Sequence, residues 1–294
     1  MTPSQRTPRT RARTSTRTTR LITIAAATAA ALLAGAAGPA AAAPKAPLSY
    51  IALGDSYGSG FGAGSYINDC GQSPLGLPGI LDSKKQVALV ADGTCAGATV
   101  ATVPGGAVDF PEQIERLSAT GALGTGTDLV TISAGGNDAG FGEVARVCST
   151  QSTAVCSQLI AAKNATALPV LDGALDTLYD TIEATAPDAT VVVTGYPHLF
   201  SPEFGVPLIP LASQGALNAA TDTLNALIRV QAEAHGFVFV DLVPKFDGHG
   251  LGSPDPWITF QPGAIDNLHP TAEGYRSGYF PAVRSTVNLA QLQR

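Results

Sequence analysis

The chain is poor in the groups that metal sites, nucleic-acid surfaces and membrane spans require. Its 294 residues include four cysteines and four histidines. No C-x-x-C or comparable ligand cluster gathers them, so neither a metal centre nor a cofactor is expected. Basic residues are scarce once the N-terminus is set aside. Residues 1–42 hold six of the 17 Lys+Arg and none of the 23 Asp+Glu, leaving 11 basic against 23 acidic residues, a net of −12. A field of that sign repels phosphate backbones and excludes nucleic acid as a partner. Beyond Ala37 no apolar run is long enough to cross a bilayer, so no stable membrane anchor is expected. No internal repeat is visible.

What is present at the N-terminus has the order of a secretory signal. Arg6, Arg9, Arg11, Arg13, Arg17 and Arg20 precede an Ala-dominated apolar run from Leu21 to Ala37, and "GPAAAAPKAP" offers small residues in A-x-A spacing. Cleavage after Ala42 is expected. No two arginines are adjacent, which favours general export over a twin-arginine route. The remaining residues, 43–294, are enough for a substantial core in one domain, expected to be a secreted monomer. An even cysteine count in an exported chain reads as disulfides. Three pairings of Cys70, Cys95, Cys148 and Cys156 are possible; Cys70–Cys95 with Cys148–Cys156 closes two local loops and is the expected one.

Five short apolar stretches read as strands: Leu48–Leu53, Val87–Val90, Asp128–Ser133, Thr190–Thr194 and Phe237–Leu242. "VVVTG" and "FVFVDL" are continuous β-branched or aromatic runs, as in strands buried on both faces of a parallel sheet. Helical patterns lie between them. One starts at Asp109, a candidate N-cap. One long pattern contains Pro169 and is expected to break there. Another carries Leu217, Leu224, Leu227, Ile228 and Val230 and stops at Gly236. The alternation predicts an α/β fold: a three-layer α/β/α sandwich around a five-stranded parallel sheet. Ligand sites in such sheets lie at the carboxyl ends of the strands. There "LGDSYGSGFGAG" follows the first strand, "GGND" the third and "YPH" the fourth.

These loops hold the groups that carry chemistry. Ser56 needs a base to act as a nucleophile, and the base needs an orienting partner. His235 ends a helix, where a cation suits the dipole. His198 follows a strand, and His249 sits in a Gly/Pro loop. Only His269 has a carboxylate three residues before it, Asp266, within reach of Nδ1; the spacing alone also arises by chance. Asn137 either caps the next helix or offers its amide to a developing oxyanion. Gly97 in "GTCAGATV" is either a turn glycine or a backbone N–H free of any side chain.

Together "LGDSY", "CAGAT", "ISAGGND" and "DNLHP" resemble the four blocks of the GDSL or SGNH hydrolases, in their order and over essentially the whole of residues 43–294. The resemblance is nearest to the secreted actinobacterial lipase/esterase branch. It implies Ser56 as nucleophile, His269 as general base and Asp266 as its orienting acid. It implies an oxyanion hole of the Ser56 and Gly97 N–H groups and the Asn137 side chain, and ester hydrolysis through an acyl-serine on a small-molecule or lipid ester. Some relatives hold the histidine with a main-chain carbonyl instead of the acid. Secreted relatives often carry a third disulfide, with one half where this chain has Gly252, which implies a looser segment from Asp247 to Ile258. Trp257 in that segment either covers the acyl pocket or packs the loop down. Asp55 and Asp138 read as structural, through turn and cap hydrogen bonds. Asn164-Ala165-Thr166 is a lone glycosylation sequon.

Three other readings compete. "GSGFGA" fits a dinucleotide fingerprint with Asp82 downstream, but an exported chain has little access to such a cofactor. An α/β-hydrolase keeps the order Ser…Asp…His, but places its nucleophile after several strands and its acid far from its histidine. A non-catalytic binding protein would be expected to lack Ser56 or His269. Candidate substrates are triacylglycerols, phospholipids, short-chain esters and acetylated polysaccharides; secretion and the apolar loops "YPHLF" and "GVPLIPL" favour lipid or aryl esters, with a phospholipase or carbohydrate acetylesterase of the same fold as the alternative.

Overall fold

The computed structural model describes residues 45–207 and 209–293; the expected signal peptide, residues 1–42, lies outside the described residues. Five parallel strands form one sheet: β1 (Leu48–Gly54), β2 (Val87–Asp92), β3 (Leu129–Ser133), β4 (Thr190–Thr194) and β5 (Val238–Val240). Their order is β2-β1-β3-β4-β5. Every residue of β3, and all but the first of β4, is buried. Both strands lack charged residues and are buried on both faces, as central strands of a parallel sheet covered on both sides are. The order reverses between β1 and β3, and the crevice beyond their carboxyl ends is where ligands bind in such sheets.

The helices are α1 (Ser56–Ser59), α2 (Leu77–Asp82), α3 (Phe110–Ala119), α4 (Phe141–Thr150), α5 (Thr153–Thr166), α6 (Leu168–Thr185), α7 (Leu211–Ala234) and α8 (Val243–Phe246). A π-helical turn (Gly274–Tyr279) then leads into α9 (Phe280–Thr286) and the short α10 (Leu289–Leu292). Helices α3, α6 and α7 pack together on the sheet, while α2 and α9 form a second pair against β2 and β5. On α6 the buried residues are Leu171, Leu175, Leu178 and Ile182, an i, i+4, i+7, i+11 stripe. On α7, Leu217, Leu224 and Ile228 are buried, but Val230 is exposed. At about 100° per residue it lies about 200° round the helix from Ile228.

Two local expectations are refined. The long helical pattern breaks at Ala167, with a 45° bend between α5 and α6. Pro169 sits in the first turn of α6, where its missing N–H is harmless. Asp109 precedes α3 but makes no side-chain cap. Its carboxylate accepts instead from the Thr99 N–H at 2.8 Å and the Val103 N–H at 2.6 Å, bracing the loop that follows Gly97.

Disulfides join Cys70 to Cys95 and Cys148 to Cys156. The second ties the end of α4 to the start of α5. Among the described residues no single helix is long and apolar enough to cross a membrane.

Candidate active site

Ser56 begins α1, directly beyond β1. The turn that presents it is clamped from three sides. Gln113 on α3 accepts from the Gly54 N–H and donates to the Gly54 carbonyl, both at 3.0 Å. Asp55 accepts from the Tyr57 N–H at 2.9 Å and from the Tyr196 hydroxyl at 2.5 Å. The Tyr196 oxygen in turn accepts from the Gly136 N–H at 2.9 Å, linking the turns after β1, β3 and β4. Asp55 is buried, and burial pushes its carboxyl up to about 6 against the lowering effect of these donors. Its bonds are to the scaffold, not to a histidine.

His269 lies 213 residues further along and meets Ser56 directly, with Nε2 2.8 Å from Oγ. Its Nδ1 is 2.9 Å from the Asn267 carbonyl oxygen. A carbonyl only accepts, so Nδ1 carries the proton and the Nε2 lone pair faces the serine hydroxyl. Burial holds the imidazole below its ordinary pKa, partly opposed by the Asn267 carbonyl. Its edge touches Phe61 at 5.1 Å between ring centroids. Gly62, at φ +99°, lies against it so closely that a Cβ there would come within 2.7 Å of the His269 Cβ. Close approach to the histidine, not to a phosphate, is therefore what that glycine provides.

The expected pairing of Asp266 with His269 is not formed. The Asp266 carboxylate accepts from the Tyr66 hydroxyl instead. The reason is local: Leu268 adopts φ +65°, and the Asn267 carbonyl, not the acid, meets the imidazole. We predict that Asp266→Asn keeps kcat for a soluble ester within about threefold of wild type. An acid in a Ser-His-Asp triad would lose about 10⁴-fold on the same change.

The other histidines are elsewhere. His198 is paired with Asp222 at 2.7 Å. His235 caps α7 beside Asp176, Asp180 and Glu183. His249 is stacked on Trp257 at 3.5 Å between centroids. Trp257 also meets Phe246 edge-on and is buried, so it packs its loop down and does not cover the cavity. The 247–258 segment, expected to be looser, is hydrogen-bonded to the segment after β4. Leu251 donates to Leu199 and accepts from Ser201, and Gly250 donates to the Ser201 hydroxyl.

Gly97 and Asn137 flank Ser56 along one cavity. Asn137 does not cap α4, whose N-cap is Gly140. Its amide donates to the Ala98 carbonyl at 2.8 Å, while Asp138 accepts from the Val100 N–H at 3.0 Å. These bonds and the Cys70–Cys95 disulfide hold the Gly97 loop against the turn after β3. Gly97 has φ +87°, a conformation suited to glycine. Among the described residues neither the Ser56 nor the Gly97 N–H has a protein acceptor.

The cavity of about 400 Å³ runs from Ser56 and His269 between α4, α5 and α7. Phe141, Val144, Ile160, Leu168, Leu217 and Leu224 make its walls largely apolar. Lys163, Arg146 and Asn164 lie among the remaining lining residues. A buried polar brace, not marked by any of the sequence motifs, stands behind it. Asn225 on α7 accepts from the Tyr196 N–H and donates to the Tyr196 carbonyl, both at 2.8 Å, and Asn218 does the same for Phe200. A signal was available: amides at positions 218 and 225 fall on the apolar stripe of α7, where a buried polar group needs a partner.

A serine hydroxyl on a histidine, beside an apolar cavity at the carboxyl edge of a parallel sheet, is the arrangement of a serine-dependent hydrolase. The chain belongs to the GDSL-like lipase/acylhydrolase family, whose model matches residues 52–277. It is 38% identical over 247 residues to lipase 1 of Streptomyces coelicolor, covering 82% of this chain and 87% of that protein. The crystal structure of an extracellular lipase from Streptomyces rimosus superposes with a TM-score of 0.70 at 36% identity, covering 81% of this chain and 99% of that one. That of phospholipase A1 from Streptomyces albidoflavus gives 0.71 at 34%, covering 81% and 98%. The protein is a carboxylic ester hydrolase of the lipase/esterase type.

Proposed function

We propose that the protein is an exported, monomeric esterase for lipid or aryl esters, occupying residues 43–294 after removal of the signal peptide, with Ser56 as nucleophile and His269 as general base. The observation that carries this reading is the 2.8 Å contact between Nε2 and Oγ with Nδ1 committed to a carbonyl. His269 takes the Ser56 proton as Oγ attacks the ester carbonyl. The resulting oxyanion is held by the Ser56 and Gly97 N–H groups and the Asn137 amide. The imidazolium returns the proton to the leaving alcohol, giving an acyl-serine; water then repeats the sequence and releases the acid. The scheme needs no metal and no cofactor. The apolar cavity takes the acyl chain.

Export is supported by the N-terminal signal pattern, the two disulfides and the likeness to an extracellular lipase. A chain-length series of p-nitrophenyl esters, with Ser56→Ala as control, tests the substrate class. Turnover extending to medium and long acyl chains is expected; activity confined to acetate contradicts the lipid reading.

The pH dependence follows from His269, which must be neutral to act as base. Burial lowers its pKa, so the neutral form persists to lower pH than for a free imidazole. The acid limb of kcat/KM on a soluble ester is expected below the ordinary histidine value of about 6.5. A limb above that value contradicts the assignment.

A further inference from the structure

The Ser56–His269 contact joins two turns from opposite ends of the chain, and Tyr57 is bonded into both. It follows the serine in sequence, and its hydroxyl donates to the Leu268 carbonyl, next to His269, at 2.6 Å. Its ring lies 4.9 Å from the imidazole and 5.0 Å, edge-on, from Tyr196. Its own carbonyl accepts from the Tyr275 hydroxyl at 3.0 Å. Leu268 is one of two non-glycine residues at positive φ among the described residues, a conformation that a leucine adopts only when its surroundings impose it. The peptides on either side of Leu268 carry the two acceptors that matter. The Asn267 carbonyl holds Nδ1 of His269, and the Leu268 carbonyl is held by Tyr57.

We infer that Tyr57 is a positioning residue for His269. By clamping the Leu268 carbonyl it keeps that residue left-handed, and so keeps the Asn267 carbonyl on Nδ1 and Nε2 on Ser56. It thereby does the aligning that a carboxylate does in a Ser-His-Asp triad, in a chain whose nearby acid, Asp266, is bonded to Tyr66. The inference rests on the reading of Ser56 and His269 as nucleophile and base.

Tyr57→Phe tests it, because the ring and its packing stay while the hydroxyl leaves. With p-nitrophenyl butyrate below its solubility limit, kcat is expected to fall about 10- to 100-fold with KM within about twofold, since alignment for proton transfer is lost and not substrate binding. The acid limb is expected to move to lower pH, because the Asn267 carbonyl raises the His269 pKa and is no longer held in place. A Tyr57→Phe/Leu268→Asn double variant is expected to recover part of kcat, since asparagine enters the left-handed region more readily than leucine. Tyr50→Phe, which removes another buried tyrosine hydroxyl, bonded to Thr131 on β3 at 2.6 Å, is expected to change neither kcat nor the acid limb. Wild-type kcat and acid limb in Tyr57→Phe overturn the inference, as does a Tyr50→Phe variant that reproduces both changes. The underlying reading fails separately: wild-type protein that diethyl p-nitrophenyl phosphate does not label at Ser56 overturns the nucleophile assignment, whatever Tyr57 does.

Discussion

Ser56→Ala is expected to lower kcat for a soluble p-nitrophenyl ester by about 10⁶-fold while the protein stays folded. The magnitude is that of deleting the nucleophile of a serine hydrolase, where the histidine has nothing left to activate. The fold survives because the serine side chain supports none of the turn's architecture. Gly54 is held by Gln113, and Asp55 by Tyr57 and Tyr196. Among the described residues the Ser56 hydroxyl is hydrogen-bonded only to Nε2 of His269. Steady-state kinetics on purified protein, with a thermal melt beside it, separate the two effects. Residual activity within tenfold of wild type would place the nucleophile elsewhere.

Asn137→Ala is the second largest expected effect, a fall of about 10²–10³ in kcat, or about 2.7–4 kcal/mol of transition-state stabilisation. An oxyanion donor acts on charge that develops only in the transition state. Hence kcat and kcat/KM should fall together while KM holds. The substitution also removes the bond from the Asn137 amide to the Ala98 carbonyl. The Gly97 loop nevertheless remains tied by Asp138 to the Val100 N–H and by the Cys70–Cys95 disulfide. Asn137→Asp is the sharper companion. It keeps the shape but cannot donate when ionised, and its charge opposes the oxyanion, so its kcat should lie at or below that of the alanine variant. A rise in KM with unchanged kcat in Asn137→Ala would assign the residue to substrate binding instead.

Much of the fold was legible from local pattern. β4 lies at Thr190–Thr194, as its β-branched run predicts, and the other strands differ at their ends by a few residues. Parallel central strands are apolar on both faces, a pattern a short stretch displays by itself. The end of α7 was legible at Gly236, which takes φ +69° just past the helix. Less legible was every feature that depends on what lies opposite. Asp109 and Asn137 both have the chemistry of caps, but each faces a loop with unpaired backbone groups and bonds there. Trp257 had two roles open to it, and its stack on His249 and its edge contact with Phe246 select the packing one. The amides of Asn218 and Asn225 are unremarkable in sequence; their meaning comes from the loop carbonyls they meet.

The sequence by itself determined the kind of chemistry. A serine after the first strand, a histidine near the end of the chain, and a glycine and an asparagine between them, in an α/β framework, resemble the four blocks of one hydrolase family and so point to ester hydrolysis. The tertiary structure alone decided how the histidine is held. The D-x-x-H spacing places both the Asp266 carboxylate and the Asn267 carbonyl within reach of Nδ1, and nothing in the residue order chooses between them. Leu268 takes a positive φ, the Leu268 carbonyl accepts from the Tyr57 hydroxyl, and the Asp266 carboxylate accepts from the Tyr66 hydroxyl. Those tyrosines lie about 200 residues away in the chain, so the competition between acceptors exists only once the two turns have been folded together.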